Sequence, residues 1–204
     1  ILLGLLEPST GHIYADSVDV KEPGNYRKWL KNIGYIPQMI FMLDDTIRKN
    51  VAFGVPEDKI DEDRLWEVLK EAQLDEFIKT LPEGLETGIG ERGIRLSGGQ
   101  RQTLALLMAT MKPIEFLILD EHTAALDPKT AEIVMQLTGK IVKEKKVTTI
   151  MVTHNLRYAV EYGDRLLMMH QGHAIIDKSG AEKQAMEVDD ILGTFNEISI
   201  ECGN

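Results

Sequence analysis

The sequence predicts an α/β fold with a mostly parallel sheet and an inserted helical subdomain, and three observations support this. Phe116-Leu117-Ile118-Leu119 is a continuous apolar run, which suits a central parallel strand covered on both faces. Segments with strand character alternate with helical segments before residue 41 and again after residue 112. Residues 41–111, between them, follow a mostly helical pattern. We therefore expect a core of residues 1–40 and 112–204 and a helical lobe of residues 41–111.

The elements of the first half follow from apolar spacing and from proline and glycine positions. Ile1–Leu6 is too short to cross a bilayer, which needs about 20 apolar residues, and we interpret it as the last turn of a buried helix. Pro37 ends a predicted strand, and Ser97 is a good N-cap for a helix with Pro113 beyond its end. The predicted elements are strands at 12–16 and 33–36, a short helix at 27–31, and helices at 61–72, 75–81 and 97–111.

The second half alternates between strands and helices. Pro128 suits the start of an amphipathic helix, and Gln171-Gly172 suits the turn of a hairpin. The predicted elements are strands at 116–119 and 147–152, both buried, helices at 131–142 and 156–162, a hairpin of 165–169 with 174–177, and a polar closing helix at 181–192.

Composition excludes several classes of protein. The 204 residues contain 43% hydrophobic residues, enough for a packed core, so the chain is not disordered. Cys202 is the only cysteine, which excludes a disulfide scaffold. The net charge of −10 and a pI near 5.0 argue against duplex DNA as the main ligand, so we expect no nucleic-acid partner.

Leu96-Ser97-Gly98-Gly99-Gln100 is the most informative segment. Two glycines at the start of a helix let a ligand approach the backbone closely. The free N–H groups and the positive end of the helix dipole there favour an anion such as a phosphate. The alternative is a loop with an N-cap serine and no ligand.

Polar side chains follow several of the predicted strands. Asp120 and Glu121 end a buried strand, where α/β folds place their ligands; one carboxylate can hold Mg²⁺ and the other can orient or deprotonate a water. His154 and Gln38 follow two other strands, so we expect them at the same edge of the sheet. Asp127 comes soon after the acidic pair. The alternatives are solvated acids, an incidental histidine and, for Asp127, a helix N-cap.

The order and spacing of these elements resemble the nucleotide-binding domains of ATP-binding cassette (ABC) proteins over essentially the whole chain. Leu96–Gln100 matches the family signature letter for letter, and Phe116–Asp120 resembles its Walker B strand. Glu121 resembles the catalytic glutamate and Ala125-Leu126-Asp127 the D-loop. His154 resembles the switch histidine and Gln38 the Q-loop glutamine.

The resemblance implies a P-loop NTPase core that binds ATP and Mg²⁺. It implies that Ser97, Gly98, Gly99 and Gln100, with Asp127, contact an ATP molecule held mainly by a second nucleotide-binding domain in a head-to-tail dimer. Asp120 and Gln38 would serve the Mg²⁺, Glu121 would polarise the attacking water, and His154 would steady the γ-phosphate. The remaining partners would be transmembrane permease domains, which place the chain at the cytoplasmic face of a membrane.

The sequence departs from the family in one respect. It contains no Gly-x-x-x-x-Gly-Lys-[Ser/Thr] phosphate loop (Walker A), and the family's adenine-stacking aromatic is also absent. By the resemblance, Ile1 falls near the end of the helix that this loop opens, so the first strands of the core and Walker A would be missing. We expect the chain alone to be marginally stable, to bind ATP weakly and to hydrolyse it negligibly.

The subfamily features are mixed. Residues 45–54 and 87–93 resemble exporters. Residues 106–110 replace the family's usual Ala-Arg-Ala type of sequence, and residues 120–128 and 153–156 look more like stand-alone ATPase subunits of bacterial permeases. We hypothesise a mosaic with a join near residues 98–102. The leading function is the ATPase component of a transporter. The alternatives are a catalytically dead regulatory module and a non-transport ABC protein.

Overall fold

A computed structural model describes residues 1–201, and Cys202 lies outside the described residues. The chain divides into two compact units, Ile1–Met151 and Val152–Asn204. Within the described part of the chain, we find no helix that is both long and apolar enough to span a membrane. The division into a core of 1–40 and 112–204 and a lobe of 41–111 stays a prediction.

The first unit begins with a turn and not with a helix. The predicted last turn of a buried helix at Ile1–Leu6 is wrong: Gly4 has a φ of 70°, which ends any right-handed helix, and its N–H donates to the Ile1 carbonyl at 2.8 Å. Leu5 and Leu6 are exposed. The elements that follow are β1 (Tyr14–Ala15), β2 (Val18–Asp19), α1 (Asn25–Lys31), β3 (Ile33–Ile36), α2 (Ile47–Val51), α3 (Glu62–Glu71), α4 (Asp75–Thr80), α5 (Gly98–Thr110), β4 (Phe116–Asp120), α6 (Pro128–Lys145) and β5 (Thr148–Val152).

A three-stranded sheet in the order β3-β4-β5 carries the site. β3 and β4 are parallel, with Ile33 opposite Phe116 and Ile36 opposite Leu119. β4 is buried as predicted, and Leu117 is fully inaccessible to solvent. The α/β class with a parallel sheet is therefore confirmed.

β5 corrects one expectation, because it is not a buried strand. Ile150 and Val152 are 41% and 48% exposed, while Met151 packs against the main core. Side chains alternate between the faces of a strand, and burial alternates along β5, so Ile150 and Val152 lie on the face that the described residues leave exposed.

Helices α2 to α5 and the sheet share one hydrophobic core. Gly34 of β3 lies so close to α5 that a Cβ at this position would sit 2.8 Å from the Ala109 carbonyl oxygen and 2.7 Å from Ile114 Cδ1. Only glycine lets the strand and the helix pack at this distance. The fully buried side chains of the core come from several of its elements: Ile36, Ile47, Leu65, Leu69, Ile78, Leu106 and Leu117.

The second unit contains α7 (Leu156–Glu161), a hairpin of β6 (Arg165–His170) and β7 (His173–Ser179), α8 (Gly180–Gln184) and α9 (Val188–Glu201). The hairpin around Gln171-Gly172 is confirmed as antiparallel. Its core contains Leu166, Met168, Ile176 and Ile191. The prediction of a single closing helix at 181–192 is wrong, because the helix is interrupted between α8 and α9. There the Glu187 N–H donates to Asp190 Oδ2 at 2.8 Å, and a new helix begins.

Candidate functional site

The carboxyl ends of β3 and β4 bring three of the predicted residues together. Gln38 Nε2 donates to Glu121 Oε2 at 2.9 Å, and Asp120 lies beside them at the end of β4. Because the two strands are parallel and in register, the segments that follow them emerge at the same edge of the sheet. This edge therefore carries one amide and two carboxylates.

Tyr35 belongs to the same group, although the sequence analysis missed it. Its hydroxyl donates to Asp120 Oδ2 at 3.4 Å. Burial, and then the negative charge of Asp120, raises the pKa of the Tyr35 phenol, so it stays a hydrogen-bond donor at neutral pH. Tyr35 lies opposite Ile118, and Asp120 shares a face with Ile118. The two-residue period of the strands could therefore have placed Tyr35 on the same face as Asp120 from the sequence.

The backbone turns sharply at Glu121. Its φ is 46°, in the left-handed region that residues other than glycine rarely adopt. Such a conformation costs about 1 kcal/mol or more and persists where surrounding contacts enforce it. The turn takes the Glu121 side chain out of the alternation of β4 and toward Gln38.

His122 anchors this turn and was also missed. It is 3% exposed, and its Nε2 lies 3.3 Å from Thr138 Oγ1 of α6. The Thr138 hydroxyl donates its hydrogen to the Val134 carbonyl at 2.8 Å, so His122 Nε2 must be the donor to Thr138. Burial lowers the pKa of His122 to about 4, and the ring is neutral at pH 7.

The predicted phosphate-binding segment forms the first turn of α5. Ser97 Oγ accepts from the Gln100 N–H at 3.2 Å, and Gln100 Oε1 accepts from the Ser97 N–H at 2.9 Å. This capping box confirms the predicted N-cap. The Gln100 carboxamide oxygen is thus engaged within the turn, while Gly98 and Gly99 are half-buried.

Both glycines of this turn face the start of α6. A Cβ on Gly98 would lie 3.0 Å from Leu126 Cδ2, and a Cβ on Gly99 would lie 2.4 Å from Thr130 Cγ2. Asp127 caps α6 by accepting from the Thr130 N–H at 3.1 Å. Hydrogen bonds from the Thr130 side chain and then from its backbone lower the pKa of the Asp127 carboxyl.

His154 lies in the second unit, between β5 and α7. The side chain is exposed, and the loop around it is fixed by local hydrogen bonds. The Asn155 N–H donates to Thr153 Oγ1 at 3.0 Å, and Asn155 Oδ1 accepts from the Tyr158 N–H at 3.2 Å to cap α7. The predicted role of His154 at a phosphate stays a prediction.

The segment after Gln38 is held from below by Asn50 of α2. Asn50 is fully buried, and its Nδ2 donates to the carbonyls of Leu43 and Thr46 at 3.1 and 3.0 Å, while its Oδ1 accepts from the Leu43 N–H at 2.9 Å. Above this attachment, Met39 and Phe41 are 80% and 70% exposed. The segment thus presents two large apolar side chains next to Gln38.

The oxygen donors at the sheet edge suit a Mg²⁺ ion that is also bound by the phosphates of a substrate. The described residues hold no group of three or more His, Cys, Asp and Glu side chains that could bind a metal ion by themselves. Mg²⁺ is usually bound by one or two carboxylates together with phosphates and waters. Asp120 and the Gln38 carboxamide supply hard oxygen donors of the required kind.

Comparison with known proteins gives concordant matches. Residues 1–124 match the ABC transporter family. The chain is 36% identical over 197 residues to a tyrosine transport ATP-binding protein of Clostridioides difficile, covering 96% of this chain and 78% of that protein. It is 39% identical over 166 residues to an ATP-dependent lipid A-core flippase of Chromobacterium violaceum, covering 81% of this chain but 27% of that protein.

A solved structure shares the fold. A bacterial Atm1-family ABC exporter with ATP bound superimposes with a TM-score of 0.78 at 26% identity. The match covers 96% of this chain and 34% of the exporter chain. The chain therefore spans most of the tyrosine transport ATP-binding protein and about a third or less of the flippase and of the exporter chain.

Proposed function

The chain belongs to the ABC transporter family as a nucleotide-binding domain, and from that premise we propose that it supplies one face of an ATP-hydrolysing site that powers transport through membrane domains. The observation that carries the proposal is the hydrogen bond between Gln38 and Glu121 beside Asp120, at the carboxyl ends of two parallel strands. Phosphoryl transfer to water needs mainly positioned oxygen donors and charge stabilisation, and this edge offers both.

We assign the chemical roles by residue. Asp120 and the Gln38 carboxamide would hold a Mg²⁺ ion that accompanies ATP. That ion would neutralise part of the charge of the ATP phosphates. Glu121 accepts a hydrogen bond from the attacking water and polarises it, and the Gln38 amide orients that carboxylate. Tyr35 donates to Asp120 and so restricts the orientation of its carboxylate.

The turn at Ser97 is proposed to meet ATP carried by a second nucleotide-binding domain. Its capping box leaves the first N–H groups of α5 directed outward along the helix axis, where the helix dipole favours an anion. Gly98 and Gly99 allow a phosphate to approach the backbone there, and Asp127 lies at the start of the neighbouring helix. This arrangement suits a head-to-tail dimer in which each chain completes the other's site.

The exposed Met39 and Phe41 suggest where the membrane domains dock. They follow Gln38 on a segment that Asn50 ties to the core, so a partner that displaces them would also shift the Gln38 amide. This placement supports transmembrane permease domains as partners and a position at the cytoplasmic face of a membrane.

The test is ATP turnover by the assembled transporter, meaning this chain with the membrane domains and second nucleotide-binding domain proposed for it. Glu121→Gln removes the carboxylate but keeps the size, and we expect hydrolysis to fall about 10²- to 10⁴-fold. Glu115→Gln, an exposed acid just before β4, is the matched control and should leave turnover unchanged. Turnover by Glu121→Gln equal to the wild-type rate would refute the proposal.

A further inference from the structure

The first turns of α5 and α6 approach each other most closely at Gly99 and Thr130. The Thr130 methyl carbon, Cγ2, occupies the space where a side chain on Gly99 would begin, 2.4 Å from the position of its Cβ. Gly98 makes the equivalent approach to Leu126, at 3.0 Å. Close approach within the chain is therefore a reason for both glycines, independent of any ligand.

Thr130 also binds Asp127, the residue that caps α6. Its N–H donates to Asp127 Oδ1 at 3.1 Å. One residue thus approaches the glycine of the proposed phosphate turn with its methyl group and holds the capping aspartate of α6 with its backbone N–H.

From these contacts we propose that Thr130 is a positioning residue for ATP hydrolysis, which joins the Ser97–Gln100 turn and the Asp127 turn into one unit that meets the nucleotide of the partner domain. The inference rests on the proposed function. It differs from an assignment of ligand contacts, because Thr130 acts through Gly99 and Asp127 and touches no substrate itself.

The physical reason is rigidity at the ends of two helices. The capping box fixes the turn of α5 only with respect to α5, and the Asp127 cap fixes its turn only with respect to α6. Thr130 contacts both turns, beside the second approach of Leu126 to Gly98. A displacement of about 1 Å between reacting groups can cost about 100-fold in rate, so a loose joint at this place would be felt in catalysis.

The decisive experiment is a rescue. Gly99→Ala should place its methyl group against Thr130 Cγ2 and lower kcat/KM for ATP in the assembled transporter by about 10-fold or more. Thr130→Ser deletes Cγ2 and keeps the hydroxyl, so the Gly99→Ala/Thr130→Ser double variant should recover most of that loss. Gly99→Ala/Thr80→Ser, with the second change at an exposed threonine of α4, should recover none.

Thr130→Ser alone provides a second measurement that does not depend on a clash. We expect its kcat to fall several-fold with the KM for ATP nearly unchanged and the thermal midpoint of the chain preserved, because the joint loosens while the caps remain. Thr130→Val keeps the methyl contact and should hold the wild-type kcat more closely than Thr130→Ser does.

The outcomes separate the two proposals. An assembled transporter that contains the wild-type chain and shows no ATP turnover would overturn the proposed function and this inference with it. Turnover in the wild type, with the double variant no better than Gly99→Ala, would overturn this inference alone, since glycine would then be needed only for the approach of the phosphate. Recovery by Thr130→Ser, and not by Thr80→Ser, supports it.

Discussion

Acidification should destabilise the chain through His122, a residue buried behind the proposed site. The folded state holds this ring neutral, with a pKa of about 4, against an ordinary value of 6.5. As the pH falls below 6.5, the unfolded chain binds a proton at this position, whereas the folded chain does not until the pH approaches 4. The stabilising contribution is therefore complete above pH 6.5 and is lost progressively as the pH falls toward 4.

The size of the effect follows from the shift. One unit of pKa difference is worth about 1.36 kcal/mol, so the full loss between these pH values is about 3 kcal/mol. At about pH 5 the loss is already roughly 2 kcal/mol. That is a large share of the stability of an ordinary domain, which is about 5–15 kcal/mol.

Urea unfolding followed by tryptophan fluorescence measures this directly. The free energy of unfolding is compared at about pH 7.5 and about pH 5 for the wild-type chain and for His122→Gln, which keeps a donor toward Thr138 but does not titrate. Carboxylates that also protonate are common to both proteins and cancel in the comparison. We expect the wild type to lose roughly 2 kcal/mol more than the variant. Equal losses in the two proteins would show that His122 is not held neutral by the fold.

Two further changes test the packing around the site. Gly34→Ala should cost about 1–3 kcal/mol, because its methyl group would meet the Ala109 carbonyl at 2.8 Å, whereas Gly193→Ala, with open space around it in α9, should not destabilise; equal unfolding midpoints would refute the close approach. Asn50→Ala should cost roughly 3 kcal/mol, since it leaves the Leu43 N–H and carbonyl without their partner, whereas the Thr46 carbonyl keeps the backbone N–H of residue 50. Unfolding in urea measures both, and an Asn50→Ala protein as stable as the wild type would mean that solvent replaces those hydrogen bonds.

Local signals predicted the site's framework correctly. Ser97 followed by two glycines and Gln100 specifies a capped helix start without reference to the rest of the chain, and the structure has that start. The apolar run ending at Asp120 specified a buried strand, and parallel strands bring their ends together, so Gln38 and Glu121 met as expected.

The misses share a different origin. Tyr35 reaches Asp120 across 85 positions of sequence, and His122 reaches Thr138 across 16, so both contacts depend on the packed structure. A short apolar run such as that of β5 is found both in buried strands and in edge strands, and periodicity alone does not distinguish the two. The break before α9 depends on one side chain, Asp190, accepting from a backbone N–H.

The left-handed backbone at Glu121 sets stability against chemistry. Glycine or asparagine adopts a φ of 46° more readily than glutamate does, so replacing Glu121 by either would relieve about 1 kcal/mol of conformational cost. A laboratory selection for heat resistance would thus favour the loss of the one carboxylate proposed to activate water. Thermostabilised variants of this chain should be sequenced at position 121 before their activity is interpreted, because a gain in thermal stability from a change there would lower ATP hydrolysis.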